Sequence, residues 1–139
     1  MPERAAGTAR RCARTILAFD FGLKRIGVAV GEPELGTAHP LPAIRGFPQI
    51  EKLLQEWQPA QLVIGLPLAA GGEPHAMTRE AERFARRLEK RFKLPVARVD
   101  ERYTSVEAES RLRGTKAKRS EIDSVAAQLI LEQYFDEAA

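Results

Sequence analysis

Three places in the chain set an acid where it could hold a hard metal ion. Asp20 closes the short apolar run TILAFD (residues 15–20), Asp100 and Glu101 close a second run in VARVDERYTS, and Asp123 lies near the start of the final amphipathic segment. A carboxylate at the lip of a buried strand is costly unless it is hydrogen-bonded, paired or bound to a cation. Carboxylate oxygens are hard donors suited to Mg²⁺ or Mn²⁺. One or two such ions can activate water and stabilise the leaving oxygen of a phosphodiester.

Each acid also has a plainer reading. Asp20 precedes Gly22 and could simply form a turn. Ser120 and Asp123 have capping-box spacing, and an acid in a first helical turn meets the helix dipole favourably. Neighbouring residues of a strand point to opposite faces, so only one of Asp100 and Glu101 can address a given site, and the pattern leaves open which. Nothing competes for the chemistry: His39 and His75 fall in expected loops without a matching nucleophile. The single Cys12 excludes an internal disulfide and a cysteine zinc site.

The elements that must position these acids follow from the apolar periodicity. After the first strand, Gly22 marks a turn and RIGVAV (residues 25–30) a second strand, spacing that suits a hairpin. Gly22 and Gly27 permit tight turning and the close backbone approach a phosphate site needs. A weaker strand is expected over residues 38–45, edge-like because of Pro40 and Pro42. Ile50, Leu53, Leu54 and Trp57 define an amphipathic helix stopped by Pro59, and LVIGL (residues 62–66) is a strand buried on both faces. Ala81, Phe84, Ala85 and Leu88 mark the next helix, and residues 96–99 a fifth strand. A helix from Thr104 to Gly114, a basic loop over 115–119 and a helix capped by Ser120 complete the chain. In the last helix Asp123, Ala126/Ala127, Ile130 and Tyr134 share a stripe beside the expected Ile122/Val125/Leu129 core face. The order predicts an α/β fold, a mixed five-stranded sheet with helices on both faces.

Length and charge bound the rest. The 139 residues suit one domain over 15–139, preceded by a disordered basic arm over 1–14. No apolar run approaches the roughly 18–20 residues that cross a bilayer, and no secretory pattern follows the N-terminal arginines, so a cytoplasmic protein without membrane contact is expected. The net charge of +3 resides in the arm, where Arg4, Arg10, Arg11 and Arg14 face only Glu3. Two segments within the body are nonetheless cationic. Residues 79–93 hold seven cations against three acids, and residues 111–119 hold five and no acid. Lys116, Lys118 and Arg119 are therefore candidates to contact nucleic-acid phosphates beside Asp123, and residues 79–93 would join them only from the same side.

The motifs DFGLKRIGVAVG, TAHPLPAI, LVIGLPL, VDERYTSVEAESRL and KAKRSEIDSVAAQLILEQYF stand in an order that resembles the YqgF family of Holliday-junction-resolvase-like proteins. The likeness covers nearly everything from Ile16 to Phe135. It implies a ribonuclease H-like fold and divalent-metal hydrolysis of phosphodiesters, in processing the 5′ end of precursor 16S rRNA or in resolving four-way DNA junctions. It also implies Asp20, Glu101 and Asp123 as the catalytic, metal-binding triad for one or two Mg²⁺ or Mn²⁺ ions, with Arg25 facing phosphate. The expected partner is precursor rRNA or branched DNA, and the chain a monomer or homodimer. Two features depart from the family pattern: residues 69–72 (Ala, Ala, Gly, Gly) replace a polar stretch, and the fourth strand supplies no acid. Both leave room for a nucleic-acid-binding module without catalysis. An actin-like ATPase also has Asp-x-Gly after its first strand, but it needs two domains and this chain is too short for both.

Overall fold

The computed structural model describes residues 14–67, 76–101 and 119–138. Five strands, β1 (Ile16–Phe21), β2 (Ile26–Glu32), β3 (Thr37–Ile44), β4 (Gln61–Pro67) and β5 (Val96–Glu101), form one sheet in the order β3-β2-β1-β4-β5. The β1–β2 and β2–β3 pairs are antiparallel, and β1–β4 and β4–β5 are parallel. Three helices are described: α1 (Phe47–Trp57), α2 (Ala76–Phe92) and α3 (Arg119–Ala138). The expected mixed sheet with helices on both faces is present. The helix expected over 104–114, the basic loop and the arm up to residue 13 lie outside the described residues, as does the 69–72 departure.

Strand alternation sorts the core into two layers. Leu17, Phe19, Val28, Val30, Leu62 and Ile64 face α1 and α2, meeting Ile50, Phe84 and Leu88. Ile16, Ala18, Val63 and Val99 face the other way, onto Ile130, Leu131 and Phe135 of α3. The small Ala18 and the short branched neighbours let α3 sit close to the sheet. Sequence periodicity misassigned the face of α3. Ala127, Ile130, Leu131 and Phe135 are buried, with Ile130, Leu131 and Phe135 packed against the sheet, whereas Ile122, Val125 and Leu129 form a separate cluster with Ala126. A helix apolar around much of its girth offers no single stripe to read.

Polar ties set the rotation of α3 instead. Ser124 Oγ donates to the Leu41 carbonyl at 2.5 Å, Gln128 Nε2 to the Ala38 carbonyl at 3.0 Å, and Gln133 Nε2 to the Asp100 carbonyl at 3.0 Å. These anchor the helix at both edges of the sheet, since β3 and β5 are its outer strands. His39, expected in a loop, is an exposed residue of β3 paired with Val30. Pro42 and Ala43 stand where the β2–β3 register slips, with Val28 opposite Leu41 and Ile26 opposite Ile44. A residue without an N–H is tolerated at such a bulge on an outer strand.

Candidate active site

Asp20 stands at the carboxyl end of β1 on the α3 side of the sheet, in phase with Ile16 and Ala18. Both neighbouring strands carry a glycine beside it. Gly27 pairs with Asp20 across β2, and Gly65 follows the last β1–β4 pair, Phe19 with Ile64. A Cβ on Gly65 would lie 2.5 Å from Glu101 Oε2, and one on Gly27 would lie 2.0 Å from the Asp123 backbone oxygen. The absence of two side chains therefore makes the room into which Glu101 reaches and onto which α3 settles. The close approach expected at Gly27 is real, but what approaches is a helix, not a phosphate.

The choice between Asp100 and Glu101 follows from strand phase. Val99 and Glu101 share the α3 face, and Glu101 is buried (7% exposed). Arg98 points the other way, where its guanidinium meets Glu82 at 2.9 Å and Glu89 at 2.6 Å on α2. Those hydrogen bonds hold the Glu89 carboxyl below its usual value and raise that of Arg98 further. Asp100, in phase with Arg98, is exposed and faces away from Asp20. Glu101→Gln is accordingly expected to lower any activity of this site by roughly 10²-fold or more, and Asp100→Asn to leave it within about twofold. Steady-state kinetics of the two variants against wild type check the pair.

Asp123 reaches the site from α3. The helix begins at Arg119, so Asp123 lies beyond the first turn, where Glu121 is the acid. The capping arrangement expected of Ser120 and Asp123 is thereby displaced. The Asp123 carboxylate accepts instead from Arg25, Nε to Oδ2, at 2.8 Å across 98 residues of sequence. Arg25 immediately precedes β2, in the turn that follows Asp20, and both partners are partly buried. The Asp20 carboxyl is pushed well above its usual value, first by burial and then by the charges of Glu101 and Asp123. An acid whose ionised form is disfavoured by burial and by two neighbouring carboxyls belongs to a donor set that a divalent cation would relieve. Among the described residues, however, no group of three acids, histidines or cysteines is drawn together tightly enough to cage an ion. The donor chemistry and the glycine cradle fit a hard cation, while Arg25 holds the third carboxylate.

The cationic candidates divide differently. Lys116 and Lys118 lie outside the described residues, and Arg119 is the first residue of α3. Residues 79–92 belong to α2, on the sheet face opposite the acids. There Arg83 pairs with Glu80, Arg86 with Glu82 and Arg91 with Glu51, and Arg87 stacks on Phe47 at 4.4 Å. This charge dresses the far face and does not line the acidic site. A cleft of about 430 Å³ bounded by Ile16, Gln61 and Tyr134 is also remote, at the amino end of β1. Two contributors to the geometry of the site escaped sequence reasoning: Gly65, whose only signal was a glycine inside an apolar strand, and the Arg25–Asp123 pair, which has no local signal.

Comparison with known proteins supplies the remaining findings. The model of the family described as RuvX: Holliday junction resolvase matches residues 14–137. A protein of Dechloromonas aromatica (strain RCB) is 54% identical over 132 residues, covering 88% of this chain and 90% of its own. One of Methylobacillus flagellatus is 50% identical over 146 aligned positions, covering 98% of this chain and 97% of its own. Both carry "pre-16S rRNA nuclease" in their names. Among solved structures, T. thermophilus RuvC in complex with a Holliday junction substrate matches with a TM-score of 0.56 at 14% identity, covering 90% of this chain and 95% of that one. That likeness shows a shared, ribonuclease H-like fold.

Proposed function

The chain belongs to the RuvX: Holliday junction resolvase family, and from that premise we propose that it is a metal-dependent endonuclease that hydrolyses phosphodiester bonds of structured nucleic acid. Its substrate on this reading is the 5′ end of precursor 16S rRNA, in the cytoplasm, during ribosome biogenesis. The observation that carries it is the Asp20 carboxyl between two glycines, raised by burial and by Glu101 and Asp123. The names of the relatives support the substrate.

Asp20, Glu101 and Asp123 would hold one or two Mg²⁺ or Mn²⁺ ions, which supply the positive charge that activates water and steadies the leaving oxygen. The residues themselves do the positioning. Asp20 and Glu101 are fixed by a strand end each, and Asp123 by a helix seated against Gly27, so the reacting phosphate meets a rigid frame. Arg25, Lys116, Lys118 and Arg119 are the cations proposed to hold flanking backbone phosphates.

A cleavage panel with the full chain and Mn²⁺ tests the reading, using precursor 16S leader RNA, a four-way DNA junction, and single strands of each kind. Metal-dependent cutting of the leader, lost in Asp20→Asn, is the expected result. Cutting of the junction alone would make the chain a resolvase, which must act as a symmetric pair to cut both strands. Binding without cutting, unaffected by Mn²⁺, would leave a nucleic-acid-binding module and overturn the enzyme.

A further inference from the structure

The contact between Arg25 and Asp123 is unusual for what it leaves unused. A guanidinium carries five N–H donors in a planar fork that matches a carboxylate or a phosphate two bonds at a time. Here, among the described residues, Arg25 gives Asp123 a single hydrogen bond through Nε. The pair is partly buried, with side-chain exposures of 33% and 22%, so its partners are not freely exchanged with water. Arg25 stands on the turn directly after the strand that ends in Asp20, and Asp123 stands over Gly27, the strand partner of Asp20. One arginine is therefore the counter-ion of an acid at the heart of the site, within reach of whatever enters it.

We propose that Arg25 is a two-position switch: it neutralises Asp123 while the site holds no cation, and turns to a backbone phosphate of the nucleic acid when a divalent cation takes over that carboxylate. The inference rests on the nuclease reading for its ligands and adds to it an order of events. A cation and Arg25 compete for the same carboxylate. A cation that wins frees a fork whose natural complement is the substrate's phosphate. Metal and nucleic acid then bind with positive coupling, each favouring the arrangement the other needs.

The test is made by binding, in EDTA, where nothing is cut. Fluorescence anisotropy of a labelled precursor-leader RNA hairpin and of a labelled four-way DNA junction is followed for full-length wild type, Asp123→Ala, Asp20→Ala and the Arg25→Gln/Asp123→Ala double variant. Asp123→Ala frees Arg25 without metal and is expected to bind about 5- to 10-fold tighter to at least one probe. Its log Kd against log salt should steepen by roughly 0.7–0.9, the increment of one added phosphate contact. Asp20→Ala removes a neighbouring carboxyl and leaves Arg25 where it is, so it should show neither change in full. The double variant should lose both. Mn²⁺ titration is the second arm: Arg25→Gln should bind the ion more tightly than wild type, because a competitor is gone. An arginine that only props Asp123 in place would give the opposite, weaker Mn²⁺ binding. Equal tightening by Asp20→Ala and Asp123→Ala, or weaker Mn²⁺ binding by Arg25→Gln in a folded protein, overturns the switch. Because no arm reads cleavage, a protein that cuts nothing can still confirm it, and a competent nuclease can still refute it.

Discussion

Asp20→Asn is expected to abolish cleavage, by roughly 10³-fold or more, while making the protein more stable. The two effects have one cause. In the fold the Asp20 carboxyl is raised above its usual 3.8 by burial and by Glu101 and Asp123. The native state therefore holds a proton at pH values where the unfolded chain has released it. Stability drawn from that proton is fully present below the unfolded pKa and is lost as pH rises through the folded one. Asparagine has no proton to lose, so the advantage of the variant should be absent below 3.8, open upward from there and level off once Asp20 is ionised in the fold. Relief of about 1 kcal/mol would lift Tm by roughly 3–5 °C at this size. Thermal unfolding in EDTA across that range checks the sign. Adding Mn²⁺ should then raise the Tm of wild type more than that of the variant, since an ion bound only to the native state stabilises it. A variant no more stable at neutral pH than below 3.8 would show that Asp20 carries no such strain.

The parts of this architecture that rest on local pattern were legible from the residues alone. TILAFD, RIGVAV and LVIGL are β-branched, apolar runs of strand length separated by turn residues, and they are β1, β2 and β4. Pro40 and Pro42 marked an outer strand, which β3 is. What pattern could not reach are features decided by distant partners. The face taken by Glu101 depends on Arg98 meeting Glu82 and Glu89 on a helix that precedes it, and the rotation of α3 on carbonyls of β3 and β5. The seven cations of residues 79–93 could join the acidic site only from its side of the sheet, and neither they nor their ion-pair partners Glu51, Glu80 and Glu82 say which face the helix takes. Folding gathers them on the face away from Asp20. Gly27 was the subtlest case, because a glycine shows that something comes close and never says what.

That glycine makes the second large prediction. In Gly27→Ala the new Cβ would stand 2.0 Å from the Asp123 carbonyl oxygen, 2.4 Å from its carbon and 3.0 Å from the Ser124 nitrogen. All three are backbone atoms of a helix, so no side chain can swing aside. The helix must lift, yet Ser124 and Gln128 pin it to β3 and Leu131 and Phe135 to the sheet. Overpacking of this kind is expected to cost about 3 kcal/mol and to lower Tm by on the order of 10 °C. The part of the molecule that shifts carries Asp123, and a displacement near 1 Å at a reacting centre is worth about 10²-fold in rate. The clash involves the backbone of residue 123 and not its carboxylate. The loss of stability should therefore persist in full when Gly27→Ala is combined with Asp123→Ala, which removes the side chain and keeps the carbonyl. Thermal unfolding of the two single variants and the double closes the cycle. If the double variant recovers the stability lost to Gly27→Ala, the pressure at Gly27 comes from the side chain of Asp123, and the seat of α3 lies elsewhere.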